Sequence, residues 1–106
     1  MIAQVTDQNA KQVLNNKRLV IMWFSGDGCG PCHQAEPIIK DVARQRWPNI
    51  VVAQAKMEEN PLFAKEHNVE HVPTLLMFKN GVVVDKIIGY NNDFTSKLVH
   101  SIATHI

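Results

Sequence analysis

Apolar and polar positions along the chain form blocks that predict strands and helices in alternation. The least interrupted apolar run covers residues 19–24, and such a run is typical of a central strand that is covered on both faces. Shorter β-rich runs predict further strands at residues 50–55, 74–79 and 82–88, and residues 2–5 suit a short edge strand. We therefore expect an α/β chain.

Segments with helical spacing separate these strands. A first helix is expected to begin at Thr6 or Asp7, either of which can cap it, and to end near Asn15. A second helix follows the cysteines and contains Pro37, which removes a backbone hydrogen bond and is expected to kink it. The apolar residues expected to face the core are Ala10, Val13 and Leu14 in the first helix and Ile38, Ile39, Val42 and Ala43 in the second.

Two more helices complete the alternation. Asn60-Pro61 predicts a capping residue followed by a proline in the first turn, with the helix ending near His67. The closing helix is expected to begin at Asn91, Asn92 or Asp93 and to place Leu98, Val99 and Ile102 in the core.

The connections predict the strand directions. Strand–helix–strand units of this length favour parallel strands joined by right-handed crossovers. Asn80-Gly81 lies between two β-rich runs and is a strong hairpin signal. The last two strands are therefore expected to be antiparallel.

Both cysteines of the chain, Cys29 and Cys32, lie where the central strand gives way to the second helix. Gly30 keeps the turn between them free of bulk, and Pro31 suits the first turn of a helix. Cys29 is then placed at the helix N-terminus, where unpaired N–H groups and the helix dipole stabilise a thiolate. Cys32 lies inside the first turn, close enough to attack a mixed disulfide on Cys29. The pair predicts a dithiol redox site.

Two cofactor sites share this cysteine spacing. A zinc site needs four ligands, and beyond the two sulfurs only histidines are plentiful: His33 is adjacent, whereas His67 and His71 belong to a later segment. A c-type haem needs Cys-x-x-Cys-His, which Cys29, Cys32 and His33 satisfy. The motif instead follows an apolar strand in a strand–helix alternation, the context that is typical of redox sites. No metal and no organic cofactor is therefore expected.

Composition and charge limit the classes of partner. With 106 residues, 45% of them hydrophobic, the chain is expected to form one domain over residues 1–106. Its net charge of +1 comes without a basic patch, which argues against nucleic acid. No apolar run approaches the length of a membrane span, and residues 1–7 lack a signal-peptide pattern, so no membrane partner is expected. A working dithiol suits the reducing cytoplasm.

The chain resembles the thioredoxin family over essentially its whole length. The residues that carry the resemblance are Cys29-Gly30-Pro31-Cys32, Pro37, Val72-Pro73-Thr74, Phe78-Lys79-Asn80-Gly81 and Gly89. The resemblance implies a thioredoxin fold, with a central mixed β-sheet of four to five strands flanked by helices on both faces.

The resemblance also implies an activity. Cys29 is the reactive cysteine and Cys32 resolves its mixed disulfide, so the chain is expected to be a protein thiol-disulfide oxidoreductase that reduces substrate disulfides. Its implied partners are disulfide-containing proteins and an external reductant such as a thioredoxin reductase, and it is expected to be a monomer. Two alternatives stay open: a disulfide isomerase or oxidant, decided by the reduction potential, and a non-catalytic binding subunit.

A substrate groove is implied by the same resemblance. It is formed by Gly28, the turn containing Gly30 and Pro31, and the residues Val72, Pro73 and Gly89, with Pro73 in the cis form. The backbone of Val72 is expected to pair with an extended substrate segment. For Gly89, a role only in strand-end backbone geometry is an equal alternative.

The chain departs from the family at four positions. Thioredoxins typically carry a buried aspartate paired with a lysine, and here these positions hold Trp23 and Gln54. The loss of both charges together is physically reasonable, because a buried charge without its partner would destabilise the fold by about 3–5 kcal/mol. Two family tryptophans are Ser25 and Gly28 here. Our hypothesis is that the Trp23 indole fills the volume left by Ser25, since both lie on one side of the strand.

Without the buried pair, other groups are needed to assist the thiols. The candidates are His71, Glu36 and His33. His71 precedes Pro73 in a loop expected to face the cysteines, where an imidazolium favours the thiolate of Cys29. Glu36 lies one turn beyond Cys32, although a solvated role is the simpler interpretation for both Glu36 and His33.

Overall fold

The computed structural model describes residues 2–45 and 47–106. The apolar run that begins at Leu19 forms the central strand β2 (Leu19–Ser25), all of whose residues are buried. The other strands are β1 (Ile2–Val5), β3 (Ile50–Lys56), β4 (Thr74–Lys79) and β5 (Val82–Ile88). Their order in the sheet is β1-β3-β2-β4-β5, so β1 is an edge strand as predicted.

The strand directions agree with the sequence prediction. Strand β3 pairs in parallel with both β1 and β2. Strand β4 is antiparallel to β2, and β5 is antiparallel to β4 through the Asn80-Gly81 hairpin. The two strands of the hairpin follow one another directly, whereas the parallel strands need helical crossovers.

Helices cover both faces of the sheet. On one face, α1 (Ala10–Leu14) and α3 (Pro61–Glu66) pack against a core cluster that includes Phe24 and Phe78. On the other, α2 (Gly30–Arg44) and α4 (Phe94–His105) pack against a cluster that includes Trp23. The predicted α/β architecture, a mixed sheet of up to five strands with helices on both faces, is confirmed.

The predicted start of the first helix was wrong. Helix α1 begins at Ala10 and not at Thr6 or Asp7. The carboxylate of Asp7 instead accepts hydrogen bonds from the backbone N–H groups of Leu62 (3.2 Å) and Phe63 (2.9 Å). Asp7 therefore caps α3, a helix far away in sequence.

Asn60 stands at the N-cap position of α3 and Pro61 in its first turn, as predicted, but the Asn60 side chain makes no capping hydrogen bond. Its amide nitrogen instead donates to the carbonyl oxygens of Val5 and Lys56, both at 2.8 Å. Asn60 thus ties the ends of β1 and β3 together, and Asp7 takes over the cap.

Val99 does not face the core, contrary to the prediction. Helix α4 begins at Phe94, and Phe94 itself is buried. Residues three or four positions apart share a helix face, so a face that contains residue 94 contains Leu98 and Ile102 and excludes Val99. Val99 accordingly is 59% exposed.

The inward face of α2 matches the prediction. Ile39 is buried, and Ile38, Val42 and Ala43 are partly buried against the same core cluster. The helix continues through Pro37 to Arg44. The kink at Pro37 stays a prediction.

Candidate active site

The end of β2 and the start of α2 place Cys29. The chain leaves β2 after Ser25, and Gly28 then takes a positive φ of 67°, a conformation that L side chains rarely adopt. Cys29 is the N-cap of α2, with an extended backbone, and its sulfur accepts the backbone N–H of Cys32 at 3.1 Å. The predicted position at a helix N-terminus is therefore confirmed. A negative charge on the Cys29 sulfur would be stabilised by this N–H group and the helix dipole.

Cys29 and Cys32 are joined in a disulfide, with their Cα atoms 5.2 Å apart. Their environments differ. Cys29 is partly exposed, whereas Cys32 is only 5% exposed on the inner side of the helix. Gly30 and Pro31, between them, are exposed. Of the two cysteines, Cys29 is therefore the more accessible from solvent.

The loop before β4 lies against the disulfide. The carbonyl oxygen of Val72 is 3.7 Å from the Cys29 sulfur, and the Val72–Pro73 peptide bond is cis, as the resemblance implies. Gly26 also lies close to Val72, since a Cβ added at Gly26 would be 3.4 Å from a Val72 methyl group. The loop carrying the predicted groove residues is thus packed beside the cysteines.

Gly89, directly after strand β5, supports this loop. Its N–H donates to the carbonyl oxygen of Pro73 at 2.8 Å, and its φ is +77°. Backbone geometry therefore accounts for a glycine at this position. Direct contact of Gly89 with substrate stays a prediction.

The position of Gly28 is open. A Cβ built there would meet no atom within 4 Å. Where the family typically carries a tryptophan, this chain has free space on the approach to Cys29. The space beside Gly28 on this side of the disulfide is therefore unoccupied by the described residues.

A small cleft of about 120 Å³ lies on the inner side of the disulfide, between the ends of β2 and β3 and the first turns of α2. Its lining residues are Trp23, Ser25, Gly26, Asp27, Cys29, Cys32, His33, Glu36, Gln54, Lys56 and Glu58. Sequence reasoning did not single out Lys56 and Glu58. The signal that could have found them is that the carboxyl ends of parallel neighbours β2 and β3 meet at one edge of the sheet.

Three of the departures from the family pattern meet in this cleft. Trp23 and Gln54 are register partners on β2 and β3. The Gln54 amide donates to the Ser25 hydroxyl at 3.0 Å and accepts from the side-chain amide of Gln4 at 3.1 Å. Trp23 and Ser25 line the same space, as the repacking hypothesis requires, but the indole leaves the cleft partly open.

Glu36 is committed to an ion pair. Its carboxylate lies 2.6 Å from the Lys40 ammonium group, one helical turn away. The hydrogen bond from Lys40 is the largest cause that holds the pKa of Glu36 below its usual value. Burial opposes it as the second largest effect, and the charges of Lys40 and His33 lower the pKa by smaller amounts. Glu36 is therefore a carboxylate at neutral pH and a weak proton acceptor.

The two histidine candidates are both exposed. His33 lines the cleft with Cys32, whereas His71 does not. The backbone carbonyl of His71 accepts the hydroxyl of Thr74 at 2.7 Å, which ties the loop to the start of β4. The structure thus brings His33 and Glu36 to the inner cleft, and the influence of His71 on Cys29 stays a prediction.

The metal alternative finds no support in the described residues. Within residues 2–45 and 47–106, no three His, Cys, Asp or Glu side chains are grouped so that they could hold an ion. His67 packs edge-on against Phe63 and Phe78, with ring centroids 5.1 Å from each.

Among residues 2–45 and 47–106, none of the helices is long and apolar enough to cross a membrane.

A larger groove lies away from the site. It has a volume of about 740 Å³ between α1, α3 and the β4–β5 turn, and none of the predicted site residues lines it. Size therefore does not identify the reactive centre of this protein. The disulfide and its chemistry do.

Comparisons with known proteins agree with this site. The family model described as thioredoxin matches residues 1–104. The thioredoxin of Pyropia yezoensis is 37% identical over 89 residues, which are 83% of each chain. Thioredoxin 1 of Nostoc sp. is 38% identical over 88 residues, 82% of each. A crystal structure of a Malassezia sympodialis thioredoxin has the same fold, with a TM-score of 0.88 and 24% identity over 99% of this chain and 90% of that one. The chain therefore belongs to the thioredoxin family, and it is a dithiol protein-disulfide reductase.

Proposed function

We propose that Cys29 is the attacking thiol of the reductase and that Cys32 is the resolving thiol. The observation that carries this assignment is the difference between the two sulfurs. The Cys29 sulfur is partly exposed and accepts a helix N–H, whereas Cys32 is buried behind it. The sulfur that solvent and substrate can reach is also the one whose thiolate the helix stabilises.

The reaction then follows in two exchanges. The Cys29 thiolate attacks one sulfur of a substrate disulfide, which forms a mixed disulfide and releases the other substrate sulfur as a thiolate that takes up a proton. Cys32 loses its proton, and its sulfur attacks the Cys29 sulfur. The Cys29–Cys32 disulfide closes and the second substrate thiol leaves. Two electrons and two protons have passed to the substrate, and an external dithiol reductant returns them.

The substrate docks beside the cis loop in this proposal. An extended segment lies between Gly28 and the loop of Val72 and Pro73, and it pairs with the Val72 backbone as a short added strand. Support comes from the 3.7 Å separation between the Val72 carbonyl oxygen and the Cys29 sulfur. Gly30 and Pro31 form the exposed floor, and Gly89 holds the loop in place.

The wider setting follows from the activity. We propose that the whole chain acts as one monomeric domain that reduces disulfide-containing proteins in the cytoplasm, where a dithiol is kept reduced. Its external reductant is an enzyme of the thioredoxin reductase kind. It serves electron transport and redox homeostasis through the dithiol. In this proposal it uses no metal and no organic cofactor. Neither nucleic acid nor a membrane is among its partners.

Reduction of insulin with dithiothreitol as electron donor tests the activity. The unmodified protein is expected to accelerate reduction, and both Cys29→Ser and Cys32→Ser are expected to lose turnover. Ala103→Ser, at an exposed position of α4, is the control and should leave turnover unchanged. Full turnover by the Cys29→Ser variant would overturn the assignment of roles.

A further inference from the structure

Trp23 carries a buried hydrogen-bond donor that has no partner. Its side chain is 2% exposed, and none of the described residues accepts the proton of its indole nitrogen. Buried polar atoms in folded proteins are nearly always paired, and a tryptophan N–H can only donate. The other unpaired buried side-chain atoms among residues 2–45 and 47–106 belong to Asn60 and Ser101, neither of which lines the disulfide cleft.

The residue that carries the unpaired donor lines the same cleft as Cys32. Trp23 packs in the core cluster with Ala35 and Ile39 from the inner face of α2. Cys32 is three residues before Ala35, so the two share that face.

The chemistry of Cys32 changes during the reaction. In the disulfide its sulfur is neutral and a weak hydrogen-bond acceptor. After reduction and loss of a proton, the same sulfur carries a full negative charge, and charged acceptors make hydrogen bonds roughly twice as strong as neutral ones. A donor that is unpaired in the oxidised protein is therefore a candidate partner for the Cys32 thiolate in the reduced protein.

We propose that the Trp23 indole N–H donates a hydrogen bond to the Cys32 thiolate and stabilises this anion from the position where the family typically has a buried acid. The inference rests on the proposed role of Cys32 as the resolving thiol. An indole cannot take the proton from Cys32, but it stabilises the anion that remains. The proton leaves to solvent through the cleft.

The effect of Trp23 on Cys32 must be distinguished from the effects of the other groups that line this cleft. The titratable or charged side chains that line it are Asp27, His33, Glu36, Lys56 and Glu58. Glu36 is already held by Lys40. The remaining four act through space on the cleft, so a test has to remove the indole N–H and leave all of them in place. Trp23→Phe does this and keeps most of the apolar volume.

The first test observes the donor in the unmodified protein. The chain has only two tryptophans, so indole N–H resonances in an ¹⁵N spectrum are assigned with the Trp47→Phe variant. Trp47 is exposed and its indole already bonds to Gln45, which makes it the internal control. On reduction the Trp23 proton is expected to move downfield and to follow the titration of Cys32, whereas the Trp47 proton stays fixed. A Trp23 resonance that neither reduction nor titration moves would overturn the proposal.

The second test measures the thiol itself. In the Cys29→Ser background, the ¹³Cβ shift of Cys32 reports its titration. Adding Trp23→Phe is expected to raise the titration midpoint by about one pH unit, which is roughly tenfold less thiolate at neutral pH, and Trp47→Phe should leave it in place. An unchanged or lower midpoint in a folded Trp23→Phe variant would overturn the proposal. Trapping of substrate by Cys32→Ser is independent of Trp23, so a failed proposal here is distinguishable from a failed assignment of the cysteines.

Discussion

Trp23 on β2 and Gln54 on β3 are direct register partners in the parallel part of the sheet. The family resemblance placed a buried aspartate and a lysine at these two positions, and this protein has an uncharged pair in their place. Trp23 belongs to the buried core, whereas Gln54 is partly exposed and bonds to Ser25 and Gln4. These two positions beside Cys32 are thus both uncharged, and a charge introduced at the buried Trp23 position alone should destabilise the protein.

Charges introduced at these two positions should be coupled. Trp23→Asp is expected to destabilise the protein by about 3–5 kcal/mol through the lost indole alone, and further through an unpaired carboxylate. Gln54→Lys alone should cost little, because the position is partly exposed and a lysine there can reach water. The double variant should recover part of the loss.

Urea unfolding of both single variants and the double variant measures this coupling as a double-mutant cycle. We expect an interaction free energy of roughly 0.5–3 kcal/mol in the favourable direction. Strict additivity of the two changes would show that the side chains do not meet, contrary to their register.

Asp7 should stabilise α3 rather than α1. Removing its carboxylate by Asp7→Ala leaves the N–H groups of Leu62 and Phe63 without their acceptor, and loss of such a cap costs about 1 kcal/mol. Amide hydrogen exchange should show faster opening of α3, with the exposed neighbour Gln8→Ala as the control. Unchanged exchange in α3 would mean that the cap contributes nothing.

Strand prediction succeeded where the pattern was local. The long apolar run of β2 and the Asn80-Gly81 turn each depend on neighbouring residues, so the strands and the hairpin could be predicted from the sequence. The roles of Asp7 and Asn60 could not, because each side chain bonds to a backbone more than fifty residues away along the chain. Val99 was misplaced because the buried Phe94, which sets the inner face of α4, was not recognised.

In the candidate site too, local features could be predicted from the sequence and contacts between distant segments could not. The position of Cys29 at a helix N-terminus follows from the glycines and proline around it, and the structure agrees. The cleft residues Lys56 and Glu58 come from a neighbouring strand and the turn after it, so only the parallel pairing of β2 and β3 brings them to the cysteines. Nor does sequence pattern show that the Trp23 indole lacks an acceptor, since this depends on the packing of α2 over β2.

Asp85 on β5 should contribute to the stability lost in acid. The Ser101 hydroxyl group on α4 makes no hydrogen bond within 3.5 Å, but it lies near enough to Asp85 to be the largest cause that lowers the pKa of that carboxyl group. Burial opposes this effect, and the Lys86 N–H and the charges of His105 and His100 lower the pKa further. A carboxyl group with a lowered pKa in the folded state contributes stability that is fully present above its unfolded pKa of about 4 and is lost as pH falls through the folded value. Folding should therefore weaken on acidification.

Denaturant unfolding at neutral and acidic pH measures this effect. Asp85→Asn and Ser101→Ala are each expected to reduce the loss of stability on acidification, by a small amount because the Asp85 side chain is 38% exposed and solvent screens it. The same acid dependence in both variants as in the unmodified protein would contradict the role of Asp85.

The central claim is that substrate disulfides are attacked by Cys29 and released by Cys32. Its most direct measurement is to mix reduced Cys32→Ser and Cys29→Ser variants separately with insulin and to map the resulting adducts by peptide mass. The account predicts a rapidly formed, long-lived mixed disulfide between an insulin cysteine and Cys29 in the Cys32→Ser variant. It predicts slow reaction of the buried Cys32 in the Cys29→Ser variant. Faster formation of an adduct on Cys32 than on Cys29 would contradict the account.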